Sequence, residues 1–312
     1  MTSTAHTPRE ILSGYRFLDV EHPARWRDRI RAFARQRELM GTVIVAGEGL
    51  NFSLAGTPAS LDAWLRWIGD RLDCREPVVN RQPVDGEPFL RLKVKVKREI
   101  VTFDTGVRPT DGRGGRALAP RGWNRLLERD DVQLVDARNE YEVRIGTFEG
   151  ALDPGTDSFT EFKAFCRRQL DPERPVAMFC TGGIRCEKAS AWLVANGFDQ
   201  VFQLRGGILG YLGATPPVDS RWRGECFVFD DRVSLDPQLR PTGRVVCRGC
   251  RRPAEGLDAA GMPSVNEDGT CRACVQTLDD DRLGSLRERV RQIALAEARG
   301  EHHLGPAAQE RT

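Results

Sequence analysis

The sequence predicts an α/β protein with two principal domains and a cysteine-bearing tail. Three observations lead there: strand and helix patterns alternate over residues 1–110, they alternate again with buried-strand runs over residues 111–225, and residues 226–312 carry two CxxC pairs before a helical stripe. A chain of 312 residues is too long for one ordinary core. Hydrophobic residues make up 40% and charged residues 29%, the balance of a globular protein. No apolar run reaches the ~18 residues that a bilayer span needs. The opening MTSTAHTPRE lacks the basic start, apolar core and small-residue cleavage site of an export signal, so the expected location is the cytoplasm, with no membrane association.

The first domain reads strand, helix, hairpin, helix, strand. A strand near Tyr15–Leu18 precedes a helix over residues 24–37, with Trp26, Ile30 and Phe33 on one face. TVIVA and LNFSLA flank Gly47-Glu48-Gly49 as a hairpin. A second helix around Leu61, Trp64, Leu65 and Ile68 leads to a strand at Leu92, Val94 and Val96. The order β-α-β-β-α-β predicts a ferredoxin-like, acylphosphatase-like α+β domain. The Gly- and Pro-containing VRPTDGRGGR reads as a linker.

In the second domain the runs VQLVDA, PVAMFCT and QVFQLRGG, separated by helical stretches, predict a parallel sheet covered on both faces. The tail ends in a helix over about residues 279–298, with Leu283, Leu286, Val290 and Ile293 on one stripe.

Nine cysteines without an export signal argue for reactive or metal-binding thiols rather than a disulfide framework. The strongest chemical signal is MFCTGGIRCEKASAWL, where a strand ends in Cys180, a glycine loop turns and a helix begins. There Cys180 faces backbone N–H groups, the positive end of a helix dipole and Arg185, all of which favour the nucleophilic thiolate. Gly182 and Gly183 let the loop from Thr181 to Ile184 curl into a small anion cup. A cysteine ending a buried strand is often inert core, but the glycine pair, the arginine and the helix start argue against that here. Cysteine phosphatases place five residues between Cys and Arg; here there are four, and the smaller cup suits a persulfide sulfur. Cys186 is either a residue packed under the loop or a thiol that resolves an oxidised Cys180. Cys74, Cys166 and Cys226 stand alone and read as buried small apolar residues.

VDARNEYEVRIGTFEGALDP, FCTGGIRCEKASAWL and VFQLRGGILGYL together resemble the three blocks of a rhodanese domain. That resemblance implies Cys180 as sulfur carrier, residues 181–185 as its cradle, and Asp136 and Arg138 as a brace near the loop. With TVIVAGEGLNFSLAG, FLRLKVKVKREIV and GECFVFDDRV in the same order, the chain resembles the bacterial tRNA uridine hydroxylase family from about residue 14 to 304, departing from it at Phe52-Ser53. This resemblance implies oxygen-dependent conversion of uridine 34 of tRNA to 5-hydroxyuridine, with Cys180, Arg185 and Cys186 at the reactive centre. Molecular oxygen would be a co-substrate, and the electron donor is one the sequence does not identify. A persulfide sulfurtransferase acting on a small acceptor or partner protein is the alternative. The sequence carries no evident flavin, haem or nicotinamide site: its four histidines lie outside the central domain and no GxGxxG fingerprint occurs.

Cys247, Cys250, Cys271 and Cys274 have the paired spacing of a structural zinc ribbon; the bland reading is four free thiols. Residues 1–110 hold 18 Lys and Arg against 14 Asp and Glu, so a polyanion such as a tRNA anticodon loop meets this part first. Lys93, Lys95 and Lys97 alternate with Leu92, Val94 and Val96, which makes them either RNA contacts or a solvated strand face. Arginines crowd the first helix in the same ambiguous way, and Phe52, Phe89 and Trp123 are candidate stacking partners for a base.

Overall fold

A computed structural model describes residues 8–109, 114–254 and 264–299. Its first segment builds β1 (Arg9–Phe17), α1 (Pro23–Gln36), β2 (Met40–Ala46), β3 (Gly49–Gly56), α2 (Pro58–Leu72), β4 (Val78–Val84) and β5 (Leu92–Val96). The five strands form a mixed sheet in the order β4-β1-β3-β2-β5, with β5 parallel to β2 and the other pairings antiparallel. This is the ferredoxin-like sheet with one strand added. The strand that completes β-α-β-β-α-β is β4, which the hydrophobic pattern misses, and the Leu92 strand is the extra fifth. VVNRQPV hides because it is an edge strand: it alternates half-buried with exposed residues and carries Pro83, which an edge tolerates.

Alternation along the strands gives the sheet two different faces. Leu12, Val43, Val45, Phe52, Leu54 and Val94 pack with Ile30 and Ala34 of α1 and Leu61, Trp64 and Ile68 of α2 in one core. Phe52 is therefore no stacking platform for a base; its ring lies edge-on to Trp64 with centroids 5.5 Å apart. Both helices start with proline in the first turn, and Thr57 caps α2 by accepting from the Ser60 N–H.

The second segment contains β6 (Arg116–Leu118), α3 (Pro120–Leu126), β7 (Gln133–Asp136), α4 (Glu140–Val143), β8 (Gly146–Phe148), α5 (Phe162–Gln169), β9 (Val176–Phe179), α6 (Ile184–Ala195), β10 (Val201–Leu204), α7 (Gly207–Ala214) and β11 (Trp222–Gly224). Four of its strands form a parallel sheet in the order β6-β10-β9-β7, while β8 and β11 pair as a separate antiparallel ribbon. β7 and β9 are buried along their whole length, as continuous apolar runs in a covered parallel sheet require. Trp123 is fully buried on α3 against Phe148 and Phe179, which removes it as a surface aromatic.

These two segments belong to one compact unit that runs to Cys226. They are joined across a buried cation. Lys188 of α6 has no exposed side-chain surface; its Nζ donates to Glu48 Oε1 and Oε2 at 2.8 and 2.9 Å, to Glu99 Oε1 at 2.5 Å and to the Val101 carbonyl at 3.1 Å. Glu48 sits in the β2–β3 turn and also accepts the Ile100 N–H at 2.8 Å.

The second compact unit holds residues 227–236 and, among the described residues, 240–254 and 264–299. After the two-residue strands β12 (Cys226–Phe227) and β13 (Ser234–Leu235) come β14 (Val245–Val246) and β15 (Pro253–Ala254), an antiparallel pair, then α8 (Arg272–Val275) and α9 (Asp280–Ala298). Leu283 and Leu286 of the expected stripe are buried, and Val290 and Ile293 are half-buried. Among the described residues no helix is long and apolar enough to cross a membrane.

Replacing Lys188 by Met leaves two carboxylates facing each other without a counter-charge, and removing one partner from such a buried network costs about 3–5 kcal/mol. The expected result is a large fall in the melting temperature of the full chain, partly restored by the double change Lys188→Met with Glu48→Gln. Unchanged melting of the single variant contradicts this account.

Candidate active site

Strand β9 ends against the start of α6, and Cys180 stands at the junction. Gly183 adopts φ +102°, which only glycine takes without strain, and this turns its N–H back to donate to Cys180 Sγ at 3.2 Å. A Cβ on the following Gly207 would lie 2.5 Å from the Cys180 carbonyl oxygen, so the β10–α7 turn also needs glycine where it seals the loop.

Burial works against ionising Cys180. The hydrogen bond from Cys186, the Arg185 charge and the N–H groups of Cys186 and Gly183 outweigh it, and hold the thiol down at about 6. Cys186 moves the other way: burial and the neighbouring Cys180 push it well above the ordinary thiol value. The pair is thus one thiolate and one thiol at neutral pH. The lone cysteines are buried, and burial raises Cys74 to about 11 and Cys166 and Cys226 to about 12.

Arg185 does not point its guanidinium freely into the cup. It is clamped by Glu142 of α4, with Nη1 donating to Oε2 and Nη2 to Oε1, both at 2.7 Å. Thr181 Oγ1 completes the cluster, 3.4 Å from Glu142 Oε1 and from Arg185 Nη2. Glu142 is fully buried; burial would raise its carboxyl, but Arg185 and Arg138 hold it below the usual range. Sequence reading passed over Glu142. Its signal was local: it stands three residues after Asn139 at a helix start, the position from which a carboxylate reaches back to the cap N–H, and it accepts the Asn139 N–H at 3.2 Å.

Asp136 and Arg138 form a second buried ion pair, with Nε to Oδ1 at 2.8 Å and Nη2 to Oδ2 at 2.6 Å. Arg138 also donates to the Gly146 carbonyl at 2.5 Å, tying β7 to β8.

The loop is roofed by the N-terminal sheet. The Tyr15 hydroxyl donates to Glu187 Oε2 at 2.7 Å and lies 3.0 Å from where a Gly183 Cβ would sit. Asn80 Nδ2 donates to the Gly206 carbonyl at 3.1 Å and lies 3.9 Å from a Gly182 Cβ position. Ile184 packs into the apolar seam of Tyr15, Phe17, Ala46 and Ile100. Burial raises Glu187, and the Tyr15 hydrogen bond and Arg16 only partly offset it. Cys180 itself is 1% exposed, so in this conformation only a small group reaches its sulfur.

Thr181, Gly182, Gly183, Ile184, Arg185 and Cys186 are therefore gathered around Cys180, whereas Lys93, Lys95 and Lys97 are not. These three are exposed at the β5 edge of the N-terminal sheet, and β5 and β4 are separated by four strand spacings, ~19 Å. Val96, expected in the core, is 40% exposed because it ends the edge strand.

In the second unit the first CxxC pair sits in the turn between β14 and β15, and Cys271 caps α8, which carries Cys274. The four sulfurs lie within 4.8 Å of one another. Zinc–thiolate bonds of ~2.3 Å place the sulfurs of a tetrahedral site ~3.8 Å apart, so this donor set can hold a metal ion such as zinc with little movement. Four protein ligands leave no open position, which gives such an ion a structural role.

Comparison with known proteins divides the chain in the same way. The rhodanese-like domain family matches residues 121–214. The centre of the chain is a rhodanese-like domain. The UPF0176 acylphosphatase-like domain family matches residues 9–100. Among solved structures, a rhodanese-like domain protein from Staphylococcus aureus is 24% identical, covering 31% of this chain and 90% of its own, with a TM-score of 0.27. A rhodanese-related protein from Thermoplasma volcanium is 18% identical over 33% of this chain and 95% of its own, with a TM-score of 0.27. An acylphosphatase from Coxiella burnetii is 17% identical over 30% of this chain and 100% of its own, with a TM-score of 0.23.

Two outcomes are expected. Alkylation of Cys180 by iodoacetamide, followed by peptide mass spectrometry, should rise with pH to a plateau with a midpoint near 6, and Cys186→Ala should move that midpoint upward because a donor to the thiolate is lost. A wild-type midpoint above 8 contradicts the electrostatic account. Metal analysis should find one zinc per chain, and chelation should unfold the second unit while leaving the Cys180 profile unchanged. Four freely titratable thiols and no zinc contradict the zinc assignment.

Proposed function

We propose that the protein hydroxylates uridine 34 of tRNA to 5-hydroxyuridine, with Cys180 as the reactive residue, Arg185 and Cys186 tuning it, and the loop from Thr181 to Ile184 cradling the group it carries. The observation that carries this reading is a thiol of about 6 in a rhodanese-like loop roofed by Tyr15 and Asn80 of an acylphosphatase-like domain. A stand-alone sulfur carrier needs no such roof. The net reaction places one atom of molecular oxygen on C5 of the base and reduces the other to water, which requires two electrons and two protons from a separate donor. In this reading oxidation of Cys180 to the sulfenic acid removes the neighbouring charge that keeps Cys186 protonated; the Cys186 thiolate then attacks the Cys180 sulfur, its oxygen leaves as water, and the donor's two electrons and two protons reduce the disulfide to two thiols. The tRNA anticodon loop is the partner, and Lys93, Lys95 and Lys97 contribute phosphate contacts.

The second reading is a persulfide sulfurtransferase. The 1% exposure of Cys180 and the short Cys180-to-Arg185 loop favour it, since both suit a single sulfur atom as cargo.

Nucleoside mass spectrometry of tRNA from cells carrying each variant separates the two. Cys180→Ser should abolish 5-hydroxyuridine at position 34 while the fold melts as wild type, because serine fills the cup but is a poor nucleophile and cannot be oxidised as sulfur is. Cys186→Ser should retain a first turnover and lose later ones. Wild-type 5-hydroxyuridine with Cys180→Ser overturns Cys180 as the reactive residue; unchanged 5-hydroxyuridine in cells lacking the protein, with thiosulfate-dependent persulfide on Cys180 of the wild-type chain, overturns the hydroxylase reading in favour of the sulfurtransferase.

A further inference from the structure

The sheet face turned away from α1 and α2 is crossed twice by the chain. β4 and β5 lie at opposite edges, so the segment from Asp85 to Arg91 must traverse the sheet. Glu87 of this segment pairs with Arg9 at 3.0 Å, and Arg9 lies on the same face as Ile11 and Gln82, which are 2% and 6% exposed at that end of the sheet. After β5 the chain returns over the other end, where Asn51 Nδ2 donates to the Ile100 carbonyl at 3.0 Å and Ile100 packs against Tyr15 and Phe17.

Between the crossings the strand pairings leave a transverse row. Lys93 pairs with Thr42, Thr42 with Ser53, Ser53 with Ser13, and Ser13 with Asn80. Directly paired residues project from the same face, so the row is polar from edge to edge. Thr42, Ser53, Ser13 and Asn80 are each half-buried and Lys93 is exposed. The Ser13 and Ser53 hydroxyls are 2.7 Å apart. The row beside it begins at Lys95, and neither row contains a carboxylate. One end thus opens between lysines, and the other ends at Asn80, whose amide is bonded to the turn that seals the Cys180 loop.

We propose that this trough is the track for the single-stranded RNA segment adjoining the reactive nucleotide, an inference that rests on Cys180 acting on RNA. A polyanion enters where Lys93 and Lys95 stand. The hydroxyl and amide row is chemically suited to phosphate oxygens and ribose 2′-hydroxyls, which donate and accept. A row ~19 Å long, four strand spacings, connects the lysine edge with the cysteine loop. The strand face that the sequence left as solvated or RNA-binding thereby becomes the mouth of a path instead of an isolated patch.

The test uses the full chain and a fluorescent stem-loop RNA whose loop carries a central uridine. Thr42→Glu and Ser53→Glu each place a carboxylate in the track and should weaken binding about tenfold or more at low salt, with melting and the Cys180 alkylation profile unchanged. Arg66→Glu, exposed on α2 over the opposite face, should bind as wild type. In the wild-type protein, 4-thiouridine beside the central uridine should photo-crosslink to peptides of β1 or β3 and not to α2, a readout independent of variant folding. If the wild type binds the RNA, but both track variants bind equally well or the crosslinks fall on α2, the track is overturned while RNA as the substrate stands. If the wild type does not bind the RNA, both readings fall.

Discussion

A lysine with no exposed surface sets the terms for the rest of this structure. Burying an ammonium is tolerable only when carboxylates and carbonyls replace its water. Lys188 finds Glu48 in a hairpin turn, Glu99 in the segment after β5, and the Val101 carbonyl. The first turns of α6 repeat that logic residue by residue: Arg185 answers Glu142, Cys186 answers Cys180, and Glu187 answers Tyr15. One short helix therefore fixes the reactive loop to its own domain and the N-terminal sheet to that loop.

The same helix explains why a thiol at the end of a buried strand is not inert. Cys166 and Cys226 have comparable burial and no donors sufficient to offset it, and both are pushed up to about 12. Cys180 is equally buried, yet the donors at the helix start and a clamped arginine bring it down to about 6. The difference lies in geometry rather than exposure. Glu142 contributes at one remove, by keeping the Arg185 guanidinium in place.

The reactive loop was readable from the sequence because its chemistry is contiguous: Cys180, two glycines, Arg185 and a helix start occupy six positions. The sulfur quartet was readable for the same reason, through paired spacing. What could not be read are contacts across long separations. Tyr15 and Glu187 are 172 residues apart, and Lys188 and Glu48 are 140 apart; no local pattern marks such partners, and Glu48 looked like one residue of a glycine turn. β4 escaped because a half-exposed edge strand has little hydrophobic alternation, and its omission passed the role of closing strand to β5. Two of the three aromatic candidates failed for a related reason: Phe52 and Trp123 sit on the buried side of their elements, and side was legible for Phe52 only once strand register was known.

The order of the chain gives the Lys188 cluster a temporal meaning. Glu48 and Glu99 leave the ribosome first, and 89 residues separate Glu99 from Lys188. At ordinary elongation rates the two acids wait roughly 5–20 s for their counter-ion. Until then Glu48 and Glu99 stand without their counter-ion on the surface that will meet α6. The late lysine neutralises that surface, and it emerges eight residues behind the nucleophile, so the roof closes over a cysteine that has already been made.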